Sequence, residues 1–519
     1  MDKLPLPAKA LLNPETYSHK TGKIELVQTQ MSFVFLGDEF VYKMKKPVNL
    51  GYLDYSTLAK RLYFCQKEVE LNRRLCPDVY LSVVSVTREG ETFKLDGEGE
   101  VVEYAVKMRR LPQNKMMDYL LKENSVSTEM IDSLSAEVSR FHKIAATDDK
   151  ISTFGALDTI IENSEENFSQ ARPYISKTIS PQRYEAICIY ARDFIKDNEA
   201  LFNSRVKQGF IKDLHGDLHA AHICFTDKLC IYDCIEFNDR FRYGDTASEI
   251  SFLAMDLDHY GRADLSRRFV DSYIKTSGDK SLAKLLNFYK SYRAYIRAKV
   301  ANFKLDDPYI DDKERSAAAD TARNYFYLSH AYTRSKTALF ITVGLAGSGK
   351  STLAQALAGK LALTVLSSDV TRKHLAGIPA TEHRLSNLNE DIYTPEFTER
   401  TYSALLEEAG EILKEGDSVI IDATFSQECY RRKTEALALQ LNSDFFIVKV
   451  ELDETSTRKR LEKRQGIKTA SDGRWEIYKA QLNTFTPLKN DEAHNCVIID
   501  NRQPVTNNVN LIVDKFILT

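Results

Sequence analysis

The chain of 519 residues carries a single tryptophan, no strong excess of either charge sign and no C-x-x-C pair of cysteines. With 71 Lys and Arg against 74 Asp and Glu, the formal net charge is −3. That balance excludes the global basic excess of a general nucleic-acid binder, though not a local basic face. The eight cysteines (Cys65, Cys76, Cys188, Cys224, Cys230, Cys234, Cys429 and Cys496) include no C-x-x-C pair. Their scatter argues against a disulfide framework or zinc knuckle and for a reducing cytosol. No apolar run approaches the roughly 18 residues of a membrane span. The opening MDKLPLPAKALLNPETY lacks the basic-then-apolar order of a secretion signal. The expectation is a cytoplasmic protein with no membrane association and no obvious protein partner. No H-E-x-x-H, internal repeat or low-complexity tract is found.

What is present is ordinary soluble composition, 43% hydrophobic and 28% charged, in a chain too long for one core. Strand-like runs, IELVQT, MSFVFL and EFVYKMK, open the chain, and the last two read as a hairpin about Gly37-Asp38. A helical pattern spans 56–75, with strands near 80–87, 92–95 and 101–108. Helices fill 117–201, a short strand–turn–strand region occupies 210–235, and helices dominate 246–335. From Thr337 the pattern changes to apolar strands alternating with helices, which predicts a parallel sheet. The expected domains are 1–334, an α+β lobe pair, and 335–519, an α/β P-loop fold.

Gly344-Leu345-Ala346-Gly347-Ser348-Gly349-Lys350-Ser351 fits G-x-x-x-x-G-K-[ST] at every position, after an apolar strand and at the start of a helix. Glycines let main-chain N–H groups approach phosphate oxygens at a helix N-terminus. Lys350 is placed for the β- and γ-phosphates of ATP, with Thr352 next in the helix, and Ser351 for Mg2+. The strand ending Ser367-Ser368-Asp369 offers Asp369 as a base at the sheet's ligand edge, with Arg372 one turn on to hold a phosphate. A helix N-cap is the plainer role for Asp369. SVIID ends in Asp422, a Walker B type of position for the metal. Arg458, Arg460 and Arg464 lie where a lid would close, Arg464 foremost, or form a solvated basic face. This half resembles the P-loop small-molecule and polynucleotide kinases, which implies transfer of a γ-phosphate to a hydroxyl.

The densest polar segment is Leu214-His215-Gly216-Asp217-Leu218-His219-Ala220-Ala221-His222, followed by Ile231-Tyr232-Asp233-Cys234-Ile235-Glu236-Phe237. It resembles the catalytic loop and metal-binding Asp of the aminoglycoside-phosphotransferase and protein-kinase-like fold. The resemblance makes Asp217 the base, Asp233 a metal ligand and Asp245 of RYGDTASEI a buried support for the loop. It places Lys43 of VYK on the phosphates with Glu68 as its ion-pair partner, although Lys45 shares the strand face of Lys43. Arg109-Arg110-Leu111-Pro112 resembles the hinge where adenine docks. VYKMKKPVNLGYLDYSTLAKR, EVELNRRL, HGDLHAAHI and CIEF together resemble bacterial proteins that join an aminoglycoside-phosphotransferase-like domain to a P-loop kinase domain. The chain departs from that pattern at His222, where such enzymes carry a metal-binding Asn, and in lacking a G-x-G-x-x-G loop. Imidazole suits softer metals than Mg2+.

Several functions stay open on the sequence. One is a tandem kinase that phosphorylates a small molecule or a nucleic-acid end. The second is a nucleotide-sensing regulator with an N-terminal pseudokinase lobe, and the third an RNA-end kinase. A transition-metal site built from His215, Asp217, His219 and His222 would need that segment to be helical, and Gly216 argues for a loop. Lys290, Arg293, Arg297 and Lys299 of FYKSYRAYIRAKV either grip an anionic acceptor or form a solvated helix face.

Overall fold

A computed structural model describes residues 4–307, 310–379, 391–464 and 473–517. The chain divides into two compact units, each assembled from three stretches. The first takes Met1–Ser164, Ile195–Asp256 and Arg267–Tyr289; the second takes Glu165–Phe194, Leu257–Ser266 and Lys290–Thr519. Among the described residues no helix is long and apolar enough to cross a membrane.

In the first unit β1 (Glu25–Gln28), β2 (Ser32–Leu36), β3 (Phe40–Lys45), β4 (Tyr80–Glu89), β5 (Thr92–Leu95) and β6 (Glu100–Arg109) form an antiparallel sheet in the order β1-β2-β3-β6-β4-β5. Alternation along β3 sorts its side chains. Tyr42 and Met44 enter a core with Phe33, Phe35, Val84 and Ala105. Val41 faces the other way, onto Cys65 and Val69 of the helix Leu58–Asn72. Lys43 and Lys45 share the side of Val41 by the two-residue period of a strand, and so meet that helix too. Further on, β7 (Ile211–Asp213) pairs with β10 (Tyr243–Asp245), and β8 (Ile223–Phe225) with β9 (Leu229–Ile231). The polar segment 214–222 is the loop from β7 to β8, and Asp233 follows β9.

One expectation is corrected here. Cys76, just past the helix Leu58–Asn72, is disulfide-bonded to Cys230 of β9, with Cα atoms 4.8 Å apart. The two are 154 residues apart in sequence, so no local spacing pattern announces the pair, and the reducing-compartment argument from cysteine scatter loses its footing.

In the second unit β11 (Ala338–Val343), β12 (Leu363–Ser367), β13 (Ser418–Asp422), β14 (Asp444–Glu451) and β15 (Cys496–Asp500) form a wholly parallel sheet ordered β12-β13-β11-β14-β15. Every residue of β11 is buried. Ala338 and Phe340 pack with Leu353, Leu357, Val509 and Phe516, and also with Tyr327 of the helix Asp312–Ala331. Leu339, Ile341 and Val343 pack with Tyr402, Leu405 and Ala438 on the opposite face. Helices on both faces are what an all-parallel sheet requires, because both sides must leave water. The β12–β13 register sets Ser367 opposite Asp422, so the carboxyl ends of the strands share one edge.

The basic helix at 288–300 does not present four cations. Lys290 is buried against Asp258 and Ser266 at 2.8 and 3.0 Å, Lys299 donates to Asn167 and Gln170, and Arg297 lies over the Tyr325 ring.

Candidate functional sites

In the first unit the lysine ambiguity is resolved by burial. Lys43 Nζ lies 2.8 Å from Glu68 Oε1 and 2.6 Å from Asp233 Oδ1, with some of its side chain accessible. Lys45 is wholly enclosed, bonded to Glu68 Oε2 at 2.7 Å, to Glu236 and to Tyr55 at 3.4 Å. Both ammonium groups keep their protons although burial opposes it: Asp233 and Glu68 hold the pKa of Lys43 well above the ordinary value, and Glu236 and Glu68 do so for Lys45. Of the two, only Lys43 reaches Asp233, whereas Lys45 is an internal tie from its strand to Glu68 of the helix and to Glu236.

Asp233 sits in the left-handed region at φ 62°, its N–H bonded to the Tyr80 hydroxyl at 3.1 Å. Its carboxyl remains well below the usual range, because Lys43, then His222, outweigh the effect of burial. His222 Nε2 lies 3.6 Å from Asp233 Oδ2 and His222 Nδ1 3.5 Å from Asp217 Oδ2. His219 Nε2 is 3.6 Å from the same Asp217 oxygen. Burial, then the neighbouring His219, depress the pKa of His222 to about 4, so the ring is neutral at physiological pH.

Asp217, His219 and His222 thus offer ligand atoms all within 4.8 Å of one another, although the segment is loop with a single 3-10 turn at Ala220–His222. The helix that the metal-site idea required is not needed to gather them. His215 takes another part: its Nε2 meets the Tyr232 carbonyl at 3.0 Å and its Nδ1 accepts from Asp217 N at 3.3 Å.

The loop's support also differs from expectation. Asp245 is buried, but it binds Arg205, through two contacts of 2.6 and 2.7 Å, and Arg205 also holds Asp279. The side chain that grips the loop is Glu249, whose Oε1 accepts Gly216 N at 2.6 Å and whose Oε2 meets His142 Nε2 at 2.7 Å. Gly216 has φ 86°, and a Cβ there would stand 2.9 Å from the Phe241 carbonyl, so glycine is required. Asp256 accepts Ala220 N at 2.9 Å from the other side. Glu249 lies one helical turn beyond Asp245 in RYGDTASEI, and the sequence offered no means of choosing between them.

In the second unit Gly347 and Gly349 take left-handed φ of 80° and 96°, as a phosphate-cradling loop demands, and Gly344 is extended at 159°. Lys350 turns back onto the Leu345 carbonyl at 3.0 Å, Gly344 N donates to Thr424 O at 3.2 Å, and Ser351 and Thr352 are exposed at the helix start. The Ser348 hydroxyl is buried with no hydrogen-bond partner among the described residues, a donor that suits a phosphate oxygen. Asp422 is buried, 3.4 Å from the Thr342 hydroxyl. Asp369 falls within the first turn of the helix Ser368–Leu375, at the strand edge that also carries Asp422. Arg372 is buried and donates to Ile392 O at 2.7 Å.

Arg460 of the expected lid and two residues that sequence reasoning did not select, Asn501 and Gln481, hold this loop. Asn501 Nδ2 donates to Ser348 O at 2.6 Å, Arg460 reaches Ser348 O at 3.4 Å and Asn501 O at 2.8 Å, and Gln481 accepts Ala346 N at 2.8 Å. Arg458 instead pairs with Glu462 and lies over Trp475. Arg464 closes the helix Glu454–Arg464, and its side chain lies outside the described residues.

Comparison with known proteins adds to this geometry. Residues 339–488 match the AAA domain family. Among solved structures, the chain is similar to a choline/ethanolamine kinase family protein from Mesorhizobium loti, 11% identical over 63% of this chain and 97% of that one, with a TM-score of 0.36. It is also similar to the Mycobacterium tuberculosis APS kinase CysC, 18% identical over 35% of this chain and 97% of that one, with a TM-score of 0.26. Uncharacterized protein Rv2004c of Mycobacterium tuberculosis is 30% identical over 421 residues, covering 81% of this chain and 82% of its own. The same figures hold for Uncharacterized protein Mb2027c of Mycobacterium bovis. At that identity over that span, the chain belongs to the same family as these mycobacterial proteins.

Proposed function

We propose that the chain is a tandem ATP-dependent phosphotransferase, each unit moving a γ-phosphate onto a hydroxyl of a small molecule or a nucleic-acid end. The observation that carries this reading is the placement of Lys43 between Glu68 and Asp233, with Asp217 across His222 from Asp233. A lysine fixed by a glutamate, a carboxylate for a metal and a second carboxylate for a proton are the parts such a transfer needs. In the second unit Gly344 to Ser351 would cradle phosphates, Asp422 and Ser351 would hold Mg2+, and Asp369 would take the acceptor's proton. The acceptor chemistry of P-loop small-molecule kinases is a precedent for that half.

A divalent cation, where bound, neutralises phosphate charge. The donor sets fit one: carboxylate and hydroxyl at Asp422 and Ser351, carboxylate and imidazole at Asp233 and His222. Lys43 and Lys350 orient the phosphates, and Asp217 and Asp369 accept protons.

The test follows labelled γ-phosphate from ATP into a size-fractionated extract, using the full chain, Asp217→Ala and Lys350→Ala. Label that disappears from a small-molecule or RNA fraction with one variant identifies the working unit and its acceptor class. Nucleotide binding with no transferred label in any fraction sinks the reading. It would favour the regulator with an N-terminal pseudokinase, which His222 at the expected Asn position also suggests.

A further inference from the structure

The geometry fixes which nitrogen of His222 carries the proton. Its Nδ1 lies 3.0 Å from the main-chain carbonyl oxygen of Asp217. A carbonyl only accepts, so Nδ1 carries an N–H, and Nε2 is the ring nitrogen left to serve as a ligand. Nε2 faces Asp233 Oδ2 at 3.6 Å, while Oδ1 of that carboxylate takes the Lys43 ammonium. The separation of Nε2 and Oδ2 is longer than a direct hydrogen bond and falls within the span of two ligands of one ion.

The ring is held in this attitude. His222 N donates to His219 O at 2.9 Å and His222 O accepts Tyr232 N at 3.0 Å. The rings of His219 and Tyr232 flank it at centroid distances of 3.9 and 5.6 Å. These contacts orient a ligand histidine as partners around metal sites generally do.

Spacing and donor type indicate the class of ion. Two ligand atoms each about 2.1 Å from one ion stand roughly 3.4 Å apart at a tetrahedral angle, and about 3.0 Å apart at the right angle of an octahedron. The 3.6 Å between Nε2 and Oδ2 lies on the wider side. Mg2+ demands near-octahedral oxygen ligands and dehydrates reluctantly, whereas imidazole favours transition ions. We propose that His222 Nε2 and Asp233 Oδ2 form an imidazole–carboxylate site for a divalent transition ion of the cobalt–zinc class, in preference to Mg2+. What the ion does there rests on the phosphotransferase reading; its binding does not.

The test titrates the nucleotide-free full-length protein with Co2+ alone and follows visible absorption. The expected result is a saturable band that Zn2+ abolishes and a hundred-fold excess of Mg2+ leaves in place. His222→Asn weakens Co2+ binding at least ten-fold, and Asp233→Asn, which keeps the side-chain shape, does the same. Heat unfolding of each variant establishes that it is folded, and if His222→Asn is not, Asp233→Asn carries the comparison. No band, a band unchanged in the folded variants, or displacement by equimolar Mg2+ overturns the proposal. Co2+ binding without any label transfer from ATP leaves this site standing and removes the phosphotransferase reading. Label transfer supported by Mg2+ in a protein that gives no Co2+ band does the reverse.

Discussion

Asn501, one residue past β15, donates to the main-chain carbonyl of Ser348 at 2.6 Å, so the last strand of the parallel sheet helps to shape the phosphate loop that follows its central strand. The packing is close: a Cβ on Gly349 would stand 2.1 Å from Asn501 Nδ2. Replacing Asn501 by Asp turns a donor into an anion against a carbonyl oxygen. A loss of about 2 kcal/mol of loop-holding energy corresponds to a nucleotide affinity lower by roughly 30-fold. Calorimetric titration of Asn501→Asp with an ATP analogue measures it, and an unchanged affinity would show that the contact is dispensable.

Lys43 and Lys45 separate by opposite signatures. Lys45→Met leaves Glu68 and Glu236 buried without their shared cation, and such losses cost about 3–5 kcal/mol. Lys43→Met leaves the enclosed Lys45–Glu68 contact in place, so it should lower the denaturation midpoint less while removing phosphate transfer by the first unit. Chemical denaturation and label transfer on both variants give the comparison. The assignment fails if Lys45→Met is the better folded and the less active.

Glu249→Gln weakens the grip on the loop at Gly216 and discharges the partner of His142. Hydrogen bonds to a charged group contribute about 1.5–3 kcal/mol each. A double-mutant cycle with His142→Asn is expected to show coupling above about 1 kcal/mol. Strict additivity of the two changes would mean that the pair does not act as one support.

Lys360 supplies a pH dependence. It is buried on the helix Lys350–Leu361 and donates to Asn510 at 2.8 Å, and burial lowers its pKa from 10.5 to about 8. Between those values the unfolded chain holds a proton that the folded chain has released, so stability rises with pH across the interval. Below about pH 8 the full cost of an enclosed ammonium is present. Lys360→Met is therefore expected to be more stable than the parent at pH 7 by about 1–3 kcal/mol, with the gap closing towards pH 10. Thermal unfolding of both proteins across that range decides it; a gap that widens with pH contradicts the argument.

Sequence periodicity made the sheets legible because their strands are apolar runs punctuated by turns: MSFVFL and EFVYKMK pair as a hairpin, and TALFITV became the central strand β11. The P-loop was legible because its chemistry is local. What escaped depends on distance along the chain. Asn501 lies 153 residues from Ser348, and Cys76 lies 154 from Cys230, so nothing near either residue signals its partner. A two-residue period put Lys43 and Lys45 on one face and could not tell the enclosed one from the other. The gathering of Asp217, His219 and His222 was discounted because it was tied to a helix, when a loop pinned by Glu249 and Asp256 brings them together as well.

The assembly of each unit from three stretches has a genetic corollary. Tyr327 belongs to the core beneath the phosphate loop, Gln355 Nε2 donates to the Gly261 carbonyl at 2.9 Å, and a Cβ on Gly359 would stand 2.6 Å from the His259 carbonyl. The phosphate-loop unit therefore includes segments encoded well upstream of residue 335. No single crossover within the coding sequence carries either unit away whole. A recombinant made by exchanging the 3′ part of the gene with that of a relative inherits a mismatched seam at these contacts, so the two halves are expected to have diverged as one cistron rather than as exchangeable modules.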